Sequence, residues 1–395
     1  MSLSKGSIKL IGTLVAALGL SGCYESDIAA GGAHTIAYKD GTLYTWGRNT
    51  SNQAGSGETS RTVDLPTAID LPLPRRVGVI DIKANLNFTL LLDSAGDVWV
   101  WGTNREGQIG NGTNDQVMKP TKVEALDRVF ITDIGAGQRH ALAVSKRGYV
   151  WAWGNNAAGQ LGFETDANTP ATNNVLTPTR VPELQDIVDV EGGGSFSLAV
   201  TRRGKLLSWG SNDNGQLGVD PDVLEFRHTP EAVSGINKRV KAAAAGKDHA
   251  AALFYDGSVM AWGQNFSGQL GICSDEDTHT PTPVKTNGVK MRSISASGNF
   301  TLAVSKQRDL YSWGQDLLGS LGTGPSDTNV PTKVEFFTQP VKKAVNGLGH
   351  TIVITQEDDG SEAFWTFGLN SFGQIGVEDA PFANYDPLRV VFDAK

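Results

Sequence analysis

Tryptophan followed by glycine recurs at Trp46, Trp101, Trp153, Trp209, Trp262 and Trp313, with Phe367-Gly368 as a seventh copy, at intervals of 55, 52, 56, 53, 51 and 54 residues. Self-similarity at this period means one supersecondary unit repeated. No copy can bury its apolar face alone, so the chain has to form a stacked or closed array.

The third copy shows the unit in full. It runs Pro120-Thr121-Lys122-Val123, Ile131-Thr132-Asp133-Ile134-Gly135-Ala136-Gly137, His140-Ala141-Leu142-Ala143-Val144 and Tyr149-Val150-Trp151-Ala152-Trp153-Gly154, and closes with Asn156-Ala157-Ala158-Gly159-Gln160-Leu161-Gly162. Short alternating apolar runs bounded by Gly, Asn, Asp and Pro read as strands, and the Gly-rich tail reads as a turn that needs positive φ. Beyond the first 23 residues no segment carries a helical apolar period. Seven units of four strands predict an all-β, seven-bladed β-propeller, in which radial repetition protects the sheet edges. The first copy, from Asp27, shows no Pro-x-x-Val strand, whereas the chain finishes with Pro387-Leu388-Arg389-Val390-Val391-Phe392. The C-terminal strand is therefore predicted to complete the first blade.

The pattern Ala-Gly-x-x-His, an apolar run, then Trp-Gly-x-Asn-x-x-Gly-Gln-Leu-Gly resembles the regulator of chromosome condensation repeat, whose members form seven-bladed propellers. The Gly-Gln-(Leu or Ile)-Gly element is intact at 107–110, 159–162, 215–218, 268–271 and 373–376. It is degraded to Gly319-Ser320-Leu321-Gly322 in the sixth copy and further degraded near Gln53-Ala54-Gly55 in the first. The resemblance covers about residues 28–392. It implies a scaffold that presents loops to a protein partner, or, in a different class, a guanine nucleotide exchange factor-like regulator of a small GTPase. The family's plant ultraviolet photoreceptor carries Gly-Trp-Arg-His-Thr, but here Gly137-Gln138-Arg139-His140 has Gln in place of the Trp.

The first residues follow a separate logic. Lys5 and Lys9 form a basic start, Leu10 to Leu20 an apolar stretch too short to span a bilayer, and Leu20-Ser21-Gly22-Cys23 a small-residue cleavage site. This resembles the lipobox of bacterial lipoproteins, which implies acylation of Cys23 and cleavage before it. The expected organisation is a signal peptide over 1–22, a lipidated start and short tether over 23–27, and a propeller over 28–395. Tyr24 is not the Asp that retains lipoproteins at the inner membrane, so a lipid-anchored place in the cell envelope, at the outer membrane, is expected.

The full chain has 34 Lys and Arg against 42 Asp and Glu. Without Lys5 and Lys9 the basic count falls to 32 and the net charge to −10, the wrong sign for a nucleic-acid binder. With Cys23 acylated only Cys273 remains, so no internal disulfide is expected. His34, His140, His249 and His350 share one repeat position with Phe88, Phe196 and Phe300. A position that accepts Phe calls for a flat ring between blades, not a metal ligand. The tryptophans repeat with the blades and read as core. Asp275-Glu276-Asp277 and Asp220-Pro221-Asp222 lack the alternating oxygens and Gly of a calcium loop, and no nucleophile elbow, phosphate loop, His-Glu-x-x-His or Cys-x-x-Cys occurs. No enzyme, cofactor or metal is expected, and the protein is expected to be a monomer.

One distributed feature remains. Loops alternate between the two ends of an up-and-down blade, so the connections after Trp-Gly share one face, where acids outnumber Lys and Arg. Glu58, Asp115, Glu164, Asp166, Asp220, Asp222, Asp275, Glu276, Asp277, Asp327, Glu378 and Asp379 form this acidic rim. It serves either solubility or the docking of a protein or other envelope macromolecule.

Overall fold

A chain whose apolar runs are only four to eight residues long, each ended by Gly, Asn or Asp, can satisfy its backbone only by pairing neighbouring runs as hairpins. The computed structural model describes residues 25–165 and 173–392, and there the pairing is complete. Twenty-eight strands and one short 3₁₀ turn, Glu124–Leu126, make seven antiparallel sheets of four. Blades 1 to 7 span 27–69, 79–122, 131–180, 187–232, 240–283, 291–333 and 341–389. First strands of neighbouring blades touch one another around the ring, which places them at the axis.

Pro66, Pro120, Pro178, Pro230, Pro281, Pro331 and Pro387 all lie in fourth strands. Proline cannot donate to a ladder, and the fourth strand is a free edge where no donor is needed. The third and fourth strands slip register beside the Trp-Gly pair, Phe367-Gly368 in blade 7, in every blade. Glycine is required at that slip. Gly47 has φ 101°, and a Cβ there would sit 2.5 Å from the Ala33 carbonyl oxygen.

Apolar side chains from consecutive blades interdigitate, so the core is seven wedges, one per seam. Near the axis the seams are tied by charge as well. The Asp27, Asp133 and Asp189 carboxylates accept from the next blade's Ile82, Val190 and Ala243 N–H at 3.0, 2.8 and 3.1 Å. Lys83 of blade 2 reaches Glu191 of blade 4 at 2.8 Å. Burial disfavours the Lys83 charge, but Glu191, Asp81 and Asp133 together hold its pKa well above the usual lysine value.

The strand exchange expected at the ring closure does not occur. Blade 1 has its own fourth strand, Thr62–Ile69, and the C-terminal strand Ala383–Arg389 pairs with Glu362–Leu369 inside blade 7. The motif in blade 1 reads Pro66-Thr67-Ala68-Ile69, with Ile where the other copies have Val, and each Pro strand trails its own blade instead of leading the next. Packing closes the seam. The Phe392 ring meets Tyr44 and Phe364 edge-on at 4.7 and 4.9 Å, Val390 is buried beside them, and Lys343 pairs with Asp27.

Phe392→Ala should lower stability by about 2 kcal/mol, the range for a partly buried aromatic ring. Urea unfolding of the two proteins measures this, and an unchanged midpoint would show that the seam does not depend on that ring.

Candidate functional site

Two ends of the propeller differ in what they carry. The upper face holds the turns between first and second strands and the long connections between third and fourth strands. The lower face holds the short hairpins between second and third strands and the links from one blade to the next.

On the upper face each Asn-x-x-Gly-Gln-Leu-Gly turn is held by its own side chains. In blade 2 the Asn104 amide oxygen accepts from Ile109 N–H at 2.9 Å, while its NH₂ donates to the Thr113 and Asp115 carbonyls at 2.8 and 2.9 Å. Gln108 Oε1 accepts from Glu106 N–H at 2.9 Å. The turn then aims the Gln108 carbonyl at blade 3, where the Trp153 indole N–H donates to it at 2.8 Å. The same clasp joins Trp101 to Gln53, Trp209 to Gln160, Trp262 to Gln216 and, across the seam, Trp46 to Gln374, all at 2.8 to 2.9 Å. The first copy, degraded in sequence, is thus intact in geometry, with Asn52 at φ 59° in the place of the first glycine. In blade 6 Ser320 replaces Gln and faces Phe367, which has no N–H, and the Ser320 carbonyl takes the Thr351 hydroxyl at 2.8 Å instead. Trp313 departs from the rule: its N–H finds no partner among the described residues, and Gln269 accepts from Thr301 at 3.0 Å.

The shared ring position lies just below. His34, His140, His249 and His350 are fully buried, each at a different seam. Their Nε2 atoms meet hydroxyls of the next blade, Thr89, Ser197, Thr301 and Thr35, at 2.9 to 3.1 Å. Where Phe88 and Phe196 replace His, the next blade offers Ala141 and Ala250 in place of the hydroxyl. Burial lowers the His140 pKa to about 3 and the His249 and His350 values to about 4; for His34, also about 3, the nearby His350 adds to the burial. The rings lie flush on the preceding turn, since a Cβ at Gly137 would fall 2.0 Å from the His140 ring. No cluster of three or more His, Cys, Asp or Glu suited to a metal is found among the described residues.

The rim carboxylates that the structure describes are all exposed on the upper loops: Glu58, Asp115, Glu164, Asp220, Asp222, Asp275, Glu276, Asp277, Asp327, Glu378 and Asp379. Asp166 and Cys23 lie outside the described residues. The carboxylates divide by task. Asp277 accepts from Asn265 N–H at 2.6 Å, Asp327 from Asp316 N–H at 2.8 Å, Asp220 from Asp222 N–H at 3.0 Å and Asp275 from the Asn329 amide at 2.9 Å, so these four shape the loops. The side chains of Asp222, Glu276, Glu378 and Asp379 make no hydrogen bond or ion pair among the described residues. Between them the upper face exposes Phe226, Phe266 and Phe382, at 44%, 57% and 61%. These rings fall at no fixed repeat position, and the only sequence signal for them is a lone aromatic in a loop of Gly, Asn and Asp.

The profile of the RCC1-like domain matches residues 171–393, and regulator of chromosome condensation repeats match 40–92 and 95–144. The chain belongs to the regulator of chromosome condensation repeat family. Within this family it is 34% identical over 312 residues to the ultraviolet-B receptor UVR8 of Arabidopsis thaliana, covering 77% of this chain and 68% of the receptor. It is 29% identical over 356 residues to the guanine nucleotide exchange factor SRM1 of Saccharomyces cerevisiae, covering 78% and 73%. It matches only 6% of the length of the human E3 ubiquitin-protein ligase HERC2, at 31% identity. Among solved structures, Prp20p from Saccharomyces cerevisiae, described with its binding properties to Gsp1p and histones, superposes with TM-score 0.73 at 26% identity over 84% of this chain and 83% of that one.

The clasp can be weighed by comparing two seams. Gln160 accepts from the Ser197 hydroxyl as well as from Trp209, whereas blade 5 has Ala250 there and Gln216 accepts from Trp262. Trp→Phe removes the same atoms in both, so Trp262→Phe should cost more than Trp209→Phe by about 1 kcal/mol, the lower end for a buried acceptor left unpaired. Equal losses in chemical unfolding would show that the indole bond adds nothing beyond packing.

Proposed function

We propose that this chain is a lipid-anchored protein of the bacterial cell envelope, at the outer membrane, whose upper face binds a protein partner without catalysis of its own. The observation that carries the reading is the surface of exposed Phe226, Phe266 and Phe382 set among carboxylates free of structural work. Aromatic anchors within a charged surround are the composition of a protein-binding surface, and the charge supports steering of a basic region of the partner. Relatives such as Prp20p, described as binding Gsp1p and histones, support a binding role for this kind of propeller. The lipobox at Leu20 to Cys23 supports the anchor.

Reversing Asp222, Glu276, Glu378 and Asp379 to Lys should slow association with a partner captured by crosslinking in the envelope. About tenfold at low ionic strength is the scale on which steering acts, and the salt dependence should flatten. The loop-shaping Asp220, Asp275, Asp277 and Asp327 are left in place so that the fold is not the variable. Association indifferent to these changes would leave the rim a solubility device.

The anchor has its own test. Cys23→Ser should abolish processing or release the protein from the lipid fraction, and a variant that matures at the same size and stays with membranes would refute lipidation. Identity to SRM1 favours a second reading, exchange activity on a small GTPase, and accelerated release of labelled nucleotide from such a GTPase would establish it.

A further inference from the structure

Over blades 3 to 6 the lower face carries the opposite charge to the rim, whereas its other hairpins and links hold Asp40, Asp70, Asp97, Glu124, Asp127, Glu335, Glu357, Asp358 and Asp359 against Arg75, Arg76 and Arg128. Its hairpins at 146–149, 202–205, 255–258 and 306–309, with the links at 181–186, 233–239 and 284–290, hold eleven Lys or Arg against four Asp or Glu. This stands in a chain of formal net charge −8. The four acids are Glu183, Asp186, Asp256 and Asp309, and two of them are engaged, Asp256 by Lys238 at 2.7 Å and Asp309 by Lys333 at 2.9 Å.

Backbone bonds make this arc continuous over blades 3 to 6. Each hairpin carbonyl receives the first strand of the next blade, Gly148 from Ile187, Gly204 from Val240 and Gly257 from Met291, at 2.8 to 3.1 Å. The hairpin of blade 7, with Glu357, Asp358 and Asp359, bounds it. Arg202, Arg203, Lys290 and Lys306 are exposed and make no ion pair among the described residues. Two exposed rings lie under the arc's cations, Tyr255 beneath Arg239 at 5.1 Å and, at its edge in the link that carries Glu124 and Asp127, Phe130 beneath Lys146 at 5.3 Å.

The path of the chain bears on what this face meets. The first strand, Asp27–Ala30, runs toward the upper-face turn at 31–33, so the chain enters the propeller from the lower face, beside the axis. From Cys23 to Asp27 an extended chain reaches at most about 14 Å. We infer that the basic arc of the lower face docks on anionic lipid headgroups, with the exposed aromatics at the headgroup level, and that this holds the acidic upper face away from the membrane. A single weak anchor is reinforced by a basic surface in this way. The orientation rests on the lipid-anchor reading of Cys23, whereas the affinity for anionic headgroups does not.

The test uses residues 23–395 with Cys23→Ser, which keeps every described strand and carries no acyl chain. It is sedimented with vesicles of phosphatidylcholine alone or with phosphatidylglycerol added. Binding is expected only with phosphatidylglycerol, weakening as salt rises. Arg202→Glu with Arg203→Glu should cut binding by at least about tenfold, because each basic side chain near such a surface is worth a several-fold factor. Arg61→Glu with Arg105→Glu, the same change of charge on the upper face, should leave binding unchanged. Should the first pair fail to fold, Lys290→Glu with Lys306→Glu makes the same test in another blade. Equal loss from both faces, equal binding to neutral vesicles, or retention on a DNA duplex but not on vesicles would overturn the inference. Failure of Cys23 to be acylated in cells would sink the anchor reading and leave the vesicle result standing.

Discussion

The ring depends on one hydrogen bond repeated at most of its seams, from the indole N–H of one blade to the glutamine carbonyl at the loop tip of the blade before it. Strand ladders satisfy the backbone inside each blade, and the apolar wedges between blades have no direction of their own, because hydrophobic contact alone lets one twisted sheet slide on another. The clasp supplies the direction. It fixes where each loop lands on the next blade, and the Asn and Gln side chains that brace the turn make the carbonyl a rigid target. The paired substitutions Ser320 with Phe367, and Phe88 and Phe196 with Ala141 and Ala250, show the same logic at neighbouring positions. At two of the three Phe seams the facing hydroxyl is lost as well, and at the third Thr351, opposite Phe300, keeps its hydroxyl and donates it to the Ser320 carbonyl.

Most of the fold was legible in the sequence because its determinants recur. Blade number, four strands per blade and the role of the His/Phe ring follow from residues at a fixed period. Closure was not legible, for a local reason. The fourth strand of blade 1 ends its motif in Ile69, and a proline strand read as the start of a repeat is in fact the end of one. The turn at Gln53 was hidden likewise, since Asn52 adopts the left-handed backbone that glycine adopts elsewhere. The described rim carboxylates lie on loops of one end, and sequence could not separate those that hold loops, such as Asp277 through Asn265, from those left facing solvent. Phe266 and Phe382 carry no period, and the lower-face cations are scattered over the hairpins of blades 3, 4 and 6 and the links on either side of blade 5, where no run in sequence exceeds two residues.

Two features of opposite sign therefore sit at opposite ends of one rigid body. Loops of the upper face differ in length and content from blade to blade, while the hairpins of the lower face are short, so most variation in length falls on the end opposite to the entry of the chain. The seams between carry neither burden.

Because every blade is built from four consecutive strands, none of them borrows from the far end of the chain, and the place where the polypeptide begins is an accident of the ring rather than part of its construction. The seam between blades 7 and 1 uses the same indole clasp, the same histidine–hydroxyl contact and the same apolar wedge as the others. Starting the chain at a different seam would preserve every ladder and every wedge, which makes this propeller a natural frame for circular permutation, with the site of any anchor movable around the axis while the two faces stay as they are.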